Sequence, residues 1–73
     1  MAIEIIIPMD ERINVSIVDI HGNTVDNLFD GVSSSDNLSL SWSPKTDTPT
    51  GTYNIVVKDN VKVISSLKTV YIK

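Results

Sequence analysis

The chain has no cysteine, and only four of its 73 residues are aromatic: Phe29, Trp42, Tyr53 and Tyr71. Without cysteine there is no disulfide to staple so short a chain and no thiolate for a structural zinc site. A single histidine, His21, cannot build such a site alone. With so few aromatics, the core has to be aliphatic, drawn from Ile, Val and Leu. Cations are also scarce: six Lys and Arg stand against nine Asp and Glu, for a net charge of −3. A mildly acidic surface repels phosphate backbones and offers no basic patch for anionic lipid, so neither nucleic acid nor a membrane surface is an expected partner. No apolar run approaches the roughly 18 residues of a membrane helix, so membrane insertion is not expected. The opening Met1-Ala2-Ile3-Glu4 has no basic region and no small-residue cleavage site after it. It does not read as a signal peptide, and a reading frame starting there is not expected to be exported by the general route.

What is present is alternation. Leu38-Ser39-Leu40-Ser41-Trp42 changes character at every residue, and Gly51-Thr52-Tyr53-Asn54-Ile55-Val56-Val57 leads through Asp59-Asn60 towards Val70-Tyr71-Ile72-Lys73. A period of two marks strands with one face in a core and one in solvent. Ala2 to Ile7 reads as a first strand with Ile3, Ile5 and Ile7 on one face, stopped by Pro8. Ile13 to Ile20 is the second, with Ile13, Val15 and Ile17 inward and a slip of phase at Val18-Asp19-Ile20 that predicts a bulge or a strand covered on both faces. Ile20-His21-Gly22-Asn23 is a tight turn, with Gly22 free to take positive φ. Thr24 to Phe29 is a short third strand stopped by Asp30-Gly31. Val61 to Ile72 is long for one strand, and a bulge or a change of sheet is expected near Ser65-Ser66. No helical period is sustained. A single domain over residues 1–73 is expected, an all-β antiparallel sandwich of about seven strands.

Several of these segments resemble a family of small bacterial Ig-like domains. They are Ile7-Pro8 at the end of the first strand, Val15 to Val25, Leu40-Ser41-Trp42, Pro49-Thr50-Gly51-Thr52-Tyr53 and the ending Lys68 to Lys73. The family comprises the C-terminal sorting domain of type IX secretion cargo in Bacteroidota and the Ig-like part of flagellar hook-capping proteins. The resemblance implies an Ig-like sandwich, with Asp19 as a turn residue. The chain departs from the family in lacking an asparagine-proline pair before the first strand. It also carries Ser43-Pro44-Lys45-Thr46-Asp47-Thr48-Pro49 where a Gly-rich turn is usual.

Residues that could carry chemistry are few and scattered. His21 stands in a turn with no orienting partner near it in sequence. Ser33-Ser34-Ser35-Asp36 lacks the Gly-x-Ser-x-Gly elbow of a nucleophile and reads as a loop. Asp26, Asn27, Asp30, Asp36 and Asn37 could offer oxygens to calcium, but EF-hand spacing is absent and these types favour turns anyway. Asn14-Val15-Ser16 and Asn37-Leu38-Ser39 match the glycosylation sequon, a pattern short enough to arise by chance. No catalytic residue, metal ligand or cofactor is therefore expected, and the chain is not expected to be an enzyme. Asp19, Gly22 and Gly51 are expected as structural turn residues, and Trp42 and Tyr53 as core anchors. Tyr53 and Tyr71 are expected to pair across the closing hairpin.

The feature that invites a partner is the first strand. Ile3, Ile5, Ile6 and Ile7 make it apolar and β-prone, with only Glu4 to protect an edge on which another chain could pair. The competing expectation is that this strand pairs internally and a loop covers Ile6. The function expected from sequence is a non-catalytic structural or interaction module. It would be a small Ig-like component that decorates or joins a larger protein assembly, a capsid, a tail or a cell-surface structure. The alternative is the type IX sorting domain of a larger secreted cargo protein. A virion or an extracellular surface is the favoured address.

Overall fold

A computed structural model describes residues 1–73 as six β-strands and no helix. In chain order they are β1 (Ala2–Ile6), β2 (Arg12–Val18), β3 (Thr24–Val32), β4 (Asn37–Ser41), β5 (Gly51–Lys58) and β6 (Val63–Tyr71). They form two antiparallel sheets, one of two strands in the order β1-β4 and one of four in the order β3-β2-β5-β6. The arrangement is sandwich-like, and six strands replace the expected seven.

Alternation in sequence becomes alternation in burial. Val15 and Ile17 of β2 stand opposite Val57 and Ile55 of β5 in the large sheet, and buried Ile13 and Tyr53 extend this row at either end. Ile3, Ile5 and Ile7 close over them from the small sheet, and Trp42 completes the cluster. The inward positions expected on the first two strands, Ile3, Ile5, Ile7, Ile13, Val15 and Ile17, are all buried, as are Trp42 and Tyr53; Leu40 of β4 is only half-buried, packed against the cluster. Trp42 lies just past β4, with 1% of its surface exposed. Its indole meets Tyr53 at 5.4 Å and 66° and Tyr71 at 5.8 Å and 56°, both edge-tilted geometries that suit aromatic quadrupoles. Tyr53 and Tyr71 therefore flank Trp42 rather than pairing across the hairpin, where Tyr53 stands opposite Thr69 and Tyr71 opposite Gly51.

β2 ends at Val18 rather than Ile20, β6 begins at Val63 rather than Val61, and three further local expectations change. β3 continues through Asp30-Gly31 to Val32, because Asp30 stays in register with Asn14 and its carboxylate pairs with Arg12 at 3.2 Å. The irregularity expected at Val18-Asp19-Ile20 is carried by the partner strand instead. Leu28 and Val25 are surplus residues in β3 at the register shifts opposite Val15/Ser16 and Ile17/Val18. That leaves β2 in unbroken phase, so Ile13, Val15 and Ile17 all stay inward. In β6 the surplus residue is Ile64, one position before the expected Ser65-Ser66, and the strand remains in one sheet.

The connections are tight. Asp10 takes φ 62° in the turn between β1 and β2, a conformation that Asp tolerates, and its N–H donates to the Ser33 carbonyl. Gly22 takes φ 84° between β2 and β3. Asp59 closes the β5–β6 turn, its Oδ1 accepting from the N–H groups of Val61 at 2.7 Å and Lys62 at 2.8 Å.

Candidate functional site

Two regions stand out: a polar cleft at one end of the strands and an uncovered flank along one side. The cleft, of about 470 Å³, forms where the β2–β3 turn meets the β4–β5 loop. Asp19, His21, Lys45, Asp47 and Tyr53 line it. Its geometry follows from Asp19, whose Oδ1 accepts from the backbone N–H groups of His21 and Asn23, each at 2.9 Å. The Asn23 N–H contributes most to holding this carboxyl below its ordinary range. Partial desolvation opposes it, and the His21 N–H adds to it. An ionised carboxylate with that oxygen spent on two amides is a turn clamp. On the facing wall the Tyr53 hydroxyl donates to the Pro49 carbonyl at 2.6 Å, tying the loop to the core beneath it. Gly51, at the start of β5, has open space around its Cα, so no close approach demands a glycine there.

The other polar candidates are engaged locally or dispersed. The imidazole of His21 is exposed. Ser33 Oγ donates to the Ser35 carbonyl and accepts from the Ser35 N–H, and Ser35 Oγ accepts from the Asn37 N–H. Asn27 Oδ1 accepts from Asn14 Nδ2 at 3.3 Å, while Asp30 faces Arg12. No three of the imidazole and carboxylate groups converge as a metal site would require. Asn14 stands within β2, and Asn37 opens β4.

The flank is built from the unequal widths of the sheets. β4 comes close to β3 on one side. On the other side, Thr69 Oγ1 of β6 donates to the Met1 sulfur at 3.4 Å. The inner side chains of β2 and β5, Ile13, Val15, Ile17, Tyr53, Ile55 and Val57, are buried beneath the small sheet. β6 overhangs it. Leu67 stands opposite buried Ile55 and so shares the inner face, yet it is 47% exposed, and Ser65 beside it is exposed as well.

β1 borders the same gap. Its ladder runs to β4 alone, with Met1 and Trp42 exchanging both bonds at one end and the Ile7 N–H reaching the Asp36 carbonyl at the other. Antiparallel pairing directs alternate residues to opposite edges, so the backbone groups of Ala2, Glu4 and Ile6 point away from β4. Of the four isoleucines expected at an interaction edge, Ile3, Ile5 and Ile7 are in the core and only Ile6 is at the surface, 80% exposed with no loop over it. The edge is available through its backbone rather than through those three side chains. Sequence reasoning did not identify Leu67; its inward phase is legible, but its lack of cover depends on how far the opposite sheet extends.

Fold and flank together define a small all-β, sandwich-like chain with one strand position open beside β1 and over β6. No protein-family model matches this chain, nor does any curated protein or solved structure.

Proposed function

We propose that this chain is a non-catalytic, Ig-like structural module that attaches to a larger protein assembly by strand addition. The observation that carries the reading is the open strand position: an unpaired β1 edge beside an uncovered inner-face leucine, Leu67. A sheet edge of this kind offers backbone hydrogen bonds for affinity and side-chain pockets at alternate positions for selectivity. The Ig-like part of the reading is supported by the crossed pairing of β1 with β4 and β2 with β5, as in Greek-key sandwiches. The polar cleft supports no competing catalytic reading, since its best-placed carboxylate is held in a turn.

The test is fractionation. The chain is followed immunologically through a density gradient of material from cells that express it naturally. Sedimentation with a particulate structure, virion or surface assembly, is the expected outcome. A chain found only in the soluble fractions in both cells and medium refutes the reading.

A further inference from the structure

We infer that a second copy of this chain closes the open flank, in a two-fold dimer whose axis runs along the strands. The inference rests on the reading of that flank as a docking surface and adds the identity of the occupant. The gap is one strand wide, and each copy has one overhanging strand, β6, to fill it. A two-fold axis parallel to the strands exchanges the two layers of the sandwich and leaves strand direction unchanged. It therefore sets β6 of each copy beside β1 of the other.

The polarity is right. β1 reverses into β2 through the short turn at residues 7–11, β2 runs antiparallel to β5, and β5 runs antiparallel to β6. β1 and β6 thus run in opposite directions, and the new pair is antiparallel. The two sheets become six-stranded, each in the order β4-β1-β6-β5-β2-β3, with the junction between the β1 of one copy and the β6 of the other. The two β6 strands then face one another across the core, and each covers the other's inner face, Leu67 against Leu67.

Charge selects the register. Eight of the nine acidic residues lie before residue 51, whereas four of the six cations, Lys58, Lys62, Lys68 and Lys73, lie in the last 23 residues with a single acid, Asp59. Glu4 is the one charged residue of β1, and Lys68 is the one charged residue within β6. Both point to the outer face, since Ile3 and Ile5 face inward on β1 and Lys68 pairs with Asn54, between buried Tyr53 and Ile55. Placing Glu4 opposite Lys68 of the other copy sets Ile5 beside Leu67 on the inner face and Ile6 beside Ser66 on the outer face. Symmetry repeats the ion pair. Edge-to-edge pairing of two β6 strands would instead bring the lysines of both copies to one seam, where like charges oppose association.

The experiment is sedimentation equilibrium of the full chain over a concentration series. A monomer–dimer equilibrium is expected. Lys68→Glu puts like charges opposite at two symmetric positions and should raise the dissociation constant about tenfold or more; Glu4→Lys should do the same. The double variant Glu4→Lys/Lys68→Glu should return it close to the parent value. Leu67→Asp should give a monomer whose circular dichroism matches the parent, because this side chain is half-exposed in the single copy. A chain that stays monomeric at every concentration overturns the inference. So does a dimer indifferent to Lys68→Glu, or an open-ended series of larger oligomers. A monomer that still sediments with a particulate assembly removes the second copy alone. A dimer found only in soluble fractions removes the assembly reading and leaves the dimer.

Discussion

Replacing Trp42 with Ala is the most demanding test of how this core is held. The indole is 1% exposed and is the largest fully buried side chain. It touches two tyrosine rings, Tyr53 at 5.4 Å and Tyr71 at 5.8 Å. Removing a buried Trp typically costs about 3–5 kcal/mol, the transfer of the ring plus the cavity it leaves. The two tilted ring contacts place this site towards the upper part of that range, since each such contact is worth roughly 0.5–1.5 kcal/mol beyond burial. At ~0.05–0.15 kcal/mol per residue, a chain of 73 residues has about 4–11 kcal/mol to lose. The substitution should therefore remove half the stability or all of it. With a urea slope of about 1 kcal/mol per molar, the midpoint should fall by roughly 3–5 M, or the chain should be unfolded without urea. The assay is urea denaturation followed by circular dichroism, because the variant loses the only tryptophan fluorophore. Trp42→Phe is the informative control. Trp42 Nε1 is buried without a hydrogen-bond partner, so Phe removes an unsatisfied donor as well as ring area. Its loss should be only about 1–2 kcal/mol. A loss below about 1 kcal/mol for Trp42→Ala would refute the reasoning, because it would mean the indole is not the keystone between the sheets.

Three further outcomes are expected. Gly22→Ala should lower stability by about 1–2 kcal/mol in urea melts, since φ 84° is costly for a side chain even though nothing crowds the added Cβ. Tyr53→Phe should cost roughly 0.5–1.5 kcal/mol through the lost bond to the Pro49 carbonyl, and amide exchange in residues 45–50 should quicken. Asp19 and Asp59 both ionise more readily folded than unfolded, chiefly through backbone N–H donors, from Asn23 to Asp19 and from Lys62 to Asp59. Their contribution is complete above the unfolded carboxylate range and disappears as pH falls through the lower folded values. Melts of Asp19→Asn/Asp59→Asn should therefore show a shallower acid limb than the parent, and an unchanged limb would count against the clamps.

The dimension of the small sheet decides what this chain can present to a partner. Were it one strand wider, Leu67 would be buried, β1 would have two neighbours and Ile6 would be hemmed in. The excess width of the large sheet creates an apolar step beside an unpaired backbone edge, and native proteins rarely leave both bare. Lys68 and Glu4, with their opposite charges, give that step a preferred occupant.

Much of this was legible in the sequence because it is local. Period-two alternation marks which side chains of β2, β4 and β5 face inward, and the interior follows those positions almost residue for residue. Trp42 and Tyr53 are buried, as a chain poor in aromatics would use them. The Asp19 turn could be read from a carboxylate two residues ahead of an amide and three ahead of a glycine that takes positive φ. What the sequence could not decide is relational. A bulge needs two strands, so the slip read in β2 belongs to Leu28 and Val25 of β3, and Asp30-Gly31 continues a strand because Asn14 and Ile13 stand opposite to pair with it. The identical alternation buries Ile55 and exposes Leu67, its direct neighbour across the hairpin. Phase along a strand is set by backbone pleat, which each residue carries with it. Cover over a strand is set by how many others lie opposite, and only the packed tertiary structure determines that number.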